Sequence, residues 1–278
     1  MHRQPNLNDE LKIKPGTAPK TVKGPIVERD GFVASEDAFV LTFQDKLRFH
    51  YRRGAGVRYA AAPELNAAAI SLFHNGSVHG AAAWMNGYIP LHASAVASGG
   101  RVHAFSGSSG EGKSTLVAAL AHRGLKLFAD DVLTLATTSV SVHALPGRKR
   151  LKLWSDALEL TGATGKERVW PGVDKYFVGD ELDAGGPSLP LASLTILETN
   201  DNDDVSIARV GGAERLLAIR DSCYRPEYRL PDRATSSFSQ MALIAQSIPI
   251  FRFSRPRNLG RFAEGVNDIV AYIEGAEG

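Results

Sequence analysis

A glycine-rich run in the middle of the chain constrains the fold more than any other feature of the sequence. Residues 107–114 read Gly-Ser-Ser-Gly-Glu-Gly-Lys-Ser, which matches the phosphate-loop pattern G-x-x-x-x-G-K-[ST] at every fixed position. In such a loop, backbone N–H groups surround phosphate oxygens, and the helix that follows presents its positive N-terminus to the same anion. The loop must therefore join a strand to a helix, which predicts an α/β core.

The residue types in the loop predict its ligand. Lys113 is expected to reach the β- and γ-phosphates of a nucleotide, and the Ser114 hydroxyl is expected to bind Mg²⁺. We therefore predict ATP and Mg²⁺ as the ligands. The predicted binding segment consists of Gly107, Ser108, Ser109, Gly110, Glu111, Gly112, Lys113, Ser114 and Thr115.

The sequence on either side of the loop agrees with this interpretation. A strand at Leu91–Ser98 and a turn at Gly99-Gly100 lead into a strand at Arg101–Phe105, and a helix at Ser114–Arg123 follows the loop. A chance Gly/Ser loop is disfavoured in this context. Further elements are predicted as strands at Leu125–Ala129, Leu194–Glu198, Val205–Val210 and Pro249–Phe253, and as helices at Gly212–Asp221, Arg233–Gln246 and Leu259–Glu274.

The chain divides into three segments by composition and pattern. Residues 1–30 are rich in Pro, Lys, Gly and Thr and are predicted to be a mobile tail. Residues 31–88 predict a small α+β module, and residues 89–278 predict the ATP-binding domain. The elements expected in the module are strands at Ala38–Phe43, Leu47–Tyr51 and Val57–Ala60 and helices at Glu64–Phe73 and Val78–Trp84.

Charge and cysteine content indicate which partners and which cellular compartment to expect. The net charge is only +2, so there is no broad basic field to hold a nucleic acid. Cys223 is the single cysteine, which rules out an internal disulfide and suits a reducing compartment. Residues 1–11 lack the apolar stretch of a signal peptide, and no apolar run is long enough for a membrane span. We expect a cytoplasmic protein that binds neither nucleic acid nor membrane.

An acidic pair at the end of the next strand is the second candidate element of the site. Asp130 and Asp131 follow the apolar strand that comes after the loop and its helix. Phosphoryl transfer to a hydroxyl needs a carboxylate near the metal and a base near the acceptor. A solvated turn is the alternative for such a pair. The position one strand–helix unit after the loop favours the site.

Together these residues resemble the catalytic domain of the HPr kinase/phosphorylase family. The resemblance rests on Leu91–Val96, the phosphate loop, Arg123-Gly124 and Ala129-Asp130-Asp131. It covers residues 91–132 strongly and residues 248–256 more loosely. It implies a fold shared with phosphoenolpyruvate carboxykinases and a serine kinase activity.

The resemblance also implies roles for individual residues. Asp130 matches the catalytic base of the family, Asp131 matches a neighbour that assists with the metal, and His92 matches a histidine near the base. With Lys113 these residues form the predicted catalytic set, and Ser114 with Asp131 forms the predicted metal site. The implied acceptor is a serine on an HPr-like protein or on a small ribosomal peptide such as a lasso-peptide precursor. The family also forms homo-oligomers, which the resemblance makes possible here.

The sequence departs from the family pattern in two places. Thr115 stands where the family has Glu, and the second family signature is not evident after Asp131. In its place stands a basic segment, Leu145–Trp154, which is either a solvated hairpin or a clamp for an anion. We therefore expect kinase activity without phosphorolysis. A small-molecule kinase or carboxykinase-like enzyme and a non-enzymatic ATP-dependent sensing module remain alternatives.

Several other residues are weaker candidates for the site. Lys175, after the loop Trp170-Pro171-Gly172, could reach a phosphate or lie on the surface. Arg220, Arg225 and Arg255 could each act as a transition-state arginine or serve packing alone. Cys223 is expected to be a core residue rather than a nucleophile.

Overall fold

The computed structural model of this chain describes residues 6–147, 150–169, 172–179, 186–201, 204–256 and 259–275. Within these ranges the chain divides into two compact units. The front unit comprises Met1–Pro90 and Tyr224–Ser239, and the core unit comprises Leu91–Cys223 and Gln240–Gly278. The front unit thus begins earlier than the module predicted at residues 31–88, and it includes a segment from the second half of the chain.

The front unit is built on one antiparallel meander with a parallel edge strand. Its described strands are β1 Ile13–Pro15, β2 Val27–Arg29, β3 Phe32–Ala34, β4 Ala38–Phe43, β5 Leu47–Arg52 and β6 Gly56–Ala61. They lie in the order β1-β6-β5-β4-β3-β2, and β1 pairs parallel with β6. The helical elements of this unit are α1 Leu7–Glu10, α2 Ala67–Phe73, a π-helical turn His74–Val78, α3 His79–Met85, and 3-10 turns at Pro226–Tyr228 and Pro231–Arg233.

The N-terminal segment differs from the mobile tail that the sequence predicts. Helix α1 and strands β1 and β2 all lie within residues 1–30, and β1 and β2 form the two edges of the sheet. Glu10 is buried, and its carboxylate accepts hydrogen bonds from the Tyr51 hydroxyl at 2.5 Å and from the Gly54 N–H at 3.0 Å. Composition misled the prediction because hydrogen bonds to a sheet, rather than a run of apolar residues, hold this segment.

The core unit alternates strands and helices. Its strands are β7 Ile89–Leu91, which begins in the front unit, β8 Ala93–Ser98, β9 Arg101–Ser106, β10 Lys126–Ala129, β11 Leu133–Thr137, β12 Val142–Ala144, β13 Leu151–Trp154, β14 Gly165–Arg168, β15 Lys175–Val178, β16 Leu189–Asn200, β17 Ser206–Arg209 and β18 Ile250–Pro256. Its helices are α4 Lys113–His122, α5 Ser155–Thr161, α6 Glu214–Asp221, α7 Ala234–Ser247, which also begins in the front unit, α8 Phe262–Gly275 and a 3-10 turn at Leu259–Arg261.

The central sheet of the core unit is mixed. Its strand order is β10-β8-β9-β16-β18-β17. The first residues of the long strand β16 also pair with β12, and β11 and then β7 follow β12 in the sheet. Strands β9, β16 and β18 are parallel, whereas β8, β10 and β17 run antiparallel to their neighbours. A separate small sheet has the order β13-β15-β14. The predicted α/β class is confirmed, and the arrangement specific to the HPr kinase family stays a prediction.

One face of the central sheet carries the core that positions the loop. Val96, Phe105, Leu197 and Phe253 point from β8, β9, β16 and β18 into a cluster with the apolar faces of α4, α5, α8 and β13. Successive strand residues alternate between faces, so the neighbours of Val96 on β8 point to the opposite face of the sheet. The helix after the loop is thereby held over the sheet at the end of β9.

The predicted elements near the loop are present with small shifts. The strand predicted at Leu91–Ser98 is interrupted at His92, which separates β7 from β8, and α4 begins at Lys113. Strands β11 to β15 and helix α5 were not predicted, because their short segments have no clear apolar period. In the described part of the chain, no helix has the length and apolar character needed to cross a membrane.

Candidate active site

The phosphate loop between β9 and α4 has a backbone that only glycine adopts easily. Gly107, Gly110 and Gly112 have φ angles of 150°, 97° and 73°. A Cβ atom on Gly107 would lie 2.6 Å from the Leu197 carbonyl oxygen. A Cβ atom on Gly112 would lie 2.6 Å from the Arg255 guanidinium. Gly107 and Gly112 are therefore favoured both by the turn and by close packing, whereas Gly110 is favoured by the turn alone.

Lys113 lies across the inside of this loop. Its side chain is buried, and its ammonium donates hydrogen bonds to the carbonyl oxygens of Gly107 at 2.8 Å and Ser108 at 3.1 Å. Burial lowers the pKa of Lys113 from its ordinary value, while Asp131 and Asp130 partly offset the effect. The loop thus presents a cation at the position where the motif places phosphate oxygens.

Asp130 connects the loop helix to the central sheet. Its Oδ1 atom accepts hydrogen bonds from the Ser94 hydroxyl at 2.6 Å and from the Ser114 hydroxyl at 2.9 Å. Its Oδ2 atom is buried and has no hydrogen-bond partner among the described residues. A buried carboxylate oxygen without a partner is costly, so this atom is suited to accept a proton or to bind a cation.

Asp131 has a different environment from its neighbour. Its backbone is left-handed, with φ of 73°, and this turns its side chain away from the strand direction. Its Oδ2 atom accepts a hydrogen bond from the Lys152 ammonium at 2.6 Å. Burial alone would raise the pKa of Asp131, but the charge and hydrogen bond of Lys152 hold it below the ordinary value. The Asp131 carboxylate is therefore kept ionised and already has a cation.

His92 lies beside Asp131 at the break between β7 and β8. Its Nδ1 atom is 3.1 Å from the backbone oxygen of Asp131 and 3.5 Å from the Oδ1 atom of the same residue. Burial and the nearby Lys113 charge lower the pKa of His92, although Asp131 acts in the opposite direction. The lowered pKa favours a neutral imidazole that supports Asp131.

The structure brings the predicted catalytic residues together at the end of the central sheet. His92 contacts Asp131, and Ser114 contacts Asp130. Lys113 lies close enough for its charge to act on His92 and on both carboxylates. The predicted metal pair, Ser114 with Asp131, is not formed by a contact, because the Ser114 hydroxyl lies against Asp130 instead. Of the other loop residues, Ser108, Ser109 and Gly110 are exposed, and Thr115 lies in the first turn of α4.

Some site residues were missed or left undecided by the sequence. The predicted strand Leu91–Ser98 puts Ser94 on the same face as His92, and this spacing is the signal that could have identified Ser94. Lys152 was only one residue of a basic segment, and its contact with Asp131 depends on how that segment folds back. Arg148 and Lys149 of this segment, and Trp170-Pro171 before Lys175, lie outside the described residues.

The candidate arginines have distinct surroundings. Arg255 is buried, and its guanidinium donates a hydrogen bond to the backbone oxygen of Glu111 in the loop at 3.0 Å. Arg220 pairs with Asp221 at 2.8 Å, and Arg225 lies in the front unit. Arg255 is therefore the arginine in contact with the loop. Cys223 is partly buried, and its thiol contacts the Met241 sulfur and the Ile219 carbonyl oxygen.

The donor set fits a nucleotide with a magnesium ion. The described residues contain no cluster of three or more His, Cys, Asp or Glu side chains that could enclose a metal. Mg²⁺ does not need such a cage, because it usually retains waters and binds one or two protein ligands together with phosphate oxygens. The Ser114 hydroxyl is a suitable ligand of that kind, and the Oδ1 atom of Asp130, which accepts its hydrogen bond, lies beside it.

Comparisons with known proteins give a distant structural similarity. No family model matches this sequence, and no curated protein matches it either. Among solved structures, the chain is similar to the HPr(Ser) kinase/phosphatase from Coxiella burnetii, with 15% sequence identity and a TM-score of 0.32. The similarity covers 67% of this chain and 93% of that protein's chain. At this distance, a functional conclusion has to come from the geometry of the site.

Proposed function

We propose that this chain is a kinase that transfers the γ-phosphate of Mg-ATP to a serine hydroxyl of a protein or peptide. The observation that carries the proposal is the hydrogen bond between Ser114 and Asp130, together with the unpaired Oδ2 atom of Asp130. This contact joins a complete phosphate loop to a carboxylate whose other oxygen has no hydrogen-bond partner in the part of the chain that the structure describes. A protein that only binds nucleotide has no need of such an oxygen.

Each residue has a defined role in the proposed reaction. Lys113 and the loop N–H groups bind and orient the β- and γ-phosphates. Ser114, next to Asp130, holds the magnesium ion, which neutralises charge on the phosphates when it is bound. The Oδ2 atom of Asp130 takes the proton of the acceptor hydroxyl. The acceptor oxygen then forms its bond to the γ-phosphorus, and the bond from that phosphorus to the bridging oxygen of ADP breaks.

The surroundings of the two carboxylates favour Asp130 as the base. Asp131 is held by Lys152, and this ion pair would have to weaken before its carboxylate could accept a proton. The Oδ2 atom of Asp130 has no hydrogen-bond partner within the described ranges, and its Oδ1 atom is oriented by Ser94 and Ser114. Positioning of this kind is the main contribution that a protein makes to phosphoryl transfer.

The test is a transfer assay with labelled ATP that offers serine peptides, an HPr-like protein and small hydroxyl metabolites separately. For the Asp130→Asn variant we expect ATP binding close to that of the wild type and a transfer rate lower by about 10² or more. Asparagine keeps the acceptor atom for Ser94 and Ser114 but cannot take a proton. The Lys113→Ala variant should instead lose ATP affinity by at least about tenfold, roughly 1.4 kcal/mol.

Each contrary result has a clear meaning. Transfer to a small metabolite, but to no peptide or protein, would replace the proposal with a small-molecule kinase. Unchanged transfer in Asp130→Asn would exclude the proposed base. Tight ATP binding without transfer to any acceptor would favour the sensing module.

A further inference from the structure

The small sheet β13-β15-β14 has one face packed into the core and one face directed toward the site. Leu151 and Leu153 of β13 are buried in the cluster with α4 and α8. Because strand residues alternate, Lys152 and Trp154 lie on the opposite face. Lys152 reaches Asp131 from that face, so the face borders the two carboxylates. Trp154 continues the same face one step beyond Lys152 and is 50% exposed.

Lys175 joins Trp154 on this face. The two residues are directly opposite each other in the antiparallel pairing of β13 with β15. The Lys175 ammonium lies 5.6 Å from the centre of the Trp154 ring, within the range of a cation–π contact. The resulting patch, which we name the Trp154–Lys175 patch, combines an exposed aromatic ring with a cation.

The cations on this face differ in whether they already have an anion. Arg150 pairs with Glu167 at 2.5 Å, and Lys152 pairs with Asp131 at 2.6 Å. Lys175 is half-buried and forms no ion pair within the described ranges of the chain. Burial lowers the pKa of Lys175, and the fields of Asp130 and Asp131 partly oppose this effect. A partly buried ammonium without a counter-ion is suited to bind an anion from outside the chain.

We propose that the Trp154–Lys175 patch is a subsite for the phosphate acceptor and that it binds a carboxylate of an acidic peptide together with an adjacent apolar side chain. The inference rests on the kinase function proposed above, because it assigns the patch to the substrate of that reaction. Lys113 and the loop already provide charge for the phosphates. The Lys175 ammonium lies close enough to Asp130, Lys152, Asp131 and Lys113 to interact with their charges, so the patch borders the whole site. The aromatic ring of the patch offers apolar area that a phosphate group does not use. An acidic residue near the acceptor serine, with an apolar neighbour, matches both components.

The terminal phosphate of the nucleotide is the other oxyanion that Lys175 could bind. A substitution of Lys175 distinguishes the nucleotide phosphate from the acceptor carboxylate. A contact with the nucleotide would alter ATP affinity equally for every acceptor, whereas a contact with the acceptor would alter binding only of peptides that carry the carboxylate.

The experiment measures peptide binding by titration calorimetry, without requiring transfer. Two serine peptides of equal length are compared, one with Glu and Leu beside the serine and one with Gln and Leu. The proteins are the wild type, Lys175→Gln, Lys175→Arg, Trp154→Ala and the control Lys126→Ala, which removes an exposed lysine from β10. ATP affinity is measured for each protein in parallel.

We expect the wild type and Lys126→Ala to prefer the acidic peptide. Lys175→Gln should weaken binding of that peptide about fivefold to tenfold while leaving the neutral peptide and ATP unchanged. Lys175→Arg, which retains the charge, should keep the preference and also shows that the position tolerates substitution. Trp154→Ala should weaken both peptides, because both carry the apolar neighbour. The effect of Lys175→Gln should shrink as salt is raised.

Equal affinity of the wild type for both peptides would overturn the proposal. So would a loss of ATP affinity in Lys175→Gln, which would assign Lys175 to the nucleotide. Binding and transfer are measured separately, so the two proposals can fail independently. If acidic peptides bind in a Lys175-dependent way but receive no phosphate, the kinase function fails and the binding site remains. If transfer occurs without a charge preference, the subsite fails and the kinase remains.

Discussion

Two adjacent carboxylates in this site have different partners, although they are chemically identical in the sequence. Asp130 accepts hydrogen bonds from neutral hydroxyls and keeps one free oxygen, whereas Asp131 is paired with Lys152. The backbone differs as well, because Asp131 has a left-handed conformation with φ of 73°, and its carboxylate contacts Lys152 of β13. The hydrogen-bond partners therefore indicate which carboxylate can accept a proton and lie beside the metal.

This difference predicts separate responses to magnesium. Asp130→Asn should raise the Mg²⁺ concentration needed for half-maximal transfer, because Asp130 is the carboxylate in contact with Ser114. Asp131→Asn should leave that concentration within about twofold of the wild type, since an ion pair of this kind contributes mainly to local structure. The measurement is a Mg²⁺ titration of the transfer rate at saturating ATP.

A matched control comes from the partner of Asp131. Lys152→Met should resemble Asp131→Asn in its metal requirement if the two residues act only as a pair. A raised Mg²⁺ requirement in Asp131→Asn alone would return the metal to Asp131, as the sequence had suggested, and would leave Asp130 as the base only.

The sequence predicts those site residues that lie close to one another along the chain. The loop, Lys113, Ser114 and Asp130 could be identified because a strand, a loop, a helix and the next strand follow one another directly. The assignment of the metal to Asp131 stays a prediction, since residue type cannot show which of two adjacent carboxylates holds the ion. Lys152 and Lys175 could not be placed, because their positions depend on the pairing of β13 with β15.

At the scale of elements, the first helix and strand illustrate how side-chain hydrogen bonds fix segments of low apolar content. Glu10 at the end of α1 contacts Tyr51 of β5, and Asn86 donates a second hydrogen bond to the same phenol oxygen at 2.8 Å. Tyr51 is fully buried, so its hydroxyl depends on these partners. The contact between Glu10 and Tyr51 joins residues 41 positions apart, which no local pattern reveals.

The Tyr51→Phe variant tests this connection. Losing the phenol oxygen removes one hydrogen bond from each of the buried side chains Glu10 and Asn86, so the free energy of unfolding at pH 7 should fall by about 1–3 kcal/mol. Urea denaturation followed by circular dichroism measures the difference. A change below the error of the method would show that α1 is held in another way.

The same pair of proteins should also differ in the dependence of stability on pH. Burial raises the pKa of Tyr51 above its ordinary value, and the hydrogen bond to Glu10 adds to the effect. The unfolded phenol ionises near pH 10, so its contribution to stability is complete below that pH and is lost as the pH rises toward the folded pKa. The stability gap between wild type and Tyr51→Phe should therefore narrow above about pH 10. A constant gap up to pH 11 would contradict a protected phenol.

At the scale of the whole molecule, the front unit is completed by a segment from the second half of the chain. The predicted boundary at residue 88 assumed that the chain passes from the module to the ATP-binding domain only once. The structure has the chain return at Tyr224–Ser239. The sequence could not show this return, since residues 224–239 carry no pattern that distinguishes one unit from the other.

The contacts of the returning segment lead to a prediction about fragments. Tyr224 covers α3, because the Trp84 indole N–H donates to the Tyr224 backbone oxygen at 2.9 Å and a Cβ atom on Gly80 would meet the Tyr224 ring at 2.6 Å. Tyr228 adds a ring contact with Phe32 at 4.7 Å between centroids. A fragment of residues 1–90 lacks all of these partners, so its Trp84, 1% exposed in the intact chain, should become hydrated.

Fluorescence can follow this change directly, because Trp84 is the only tryptophan in residues 1–90. We expect the fragment to emit at long wavelength and to unfold without a cooperative transition. Adding a synthetic peptide of residues 224–239 should shift the emission to shorter wavelength, whereas a peptide with Tyr224 and Tyr228 replaced by Ala should not. A fragment that unfolds cooperatively, with buried Trp84 and no peptide, would mean that the front unit is complete without its second segment. If only the unaltered peptide of residues 224–239 shifts the emission, the fold of residues 1–90 depends on side chains that lie more than 130 positions later in the sequence.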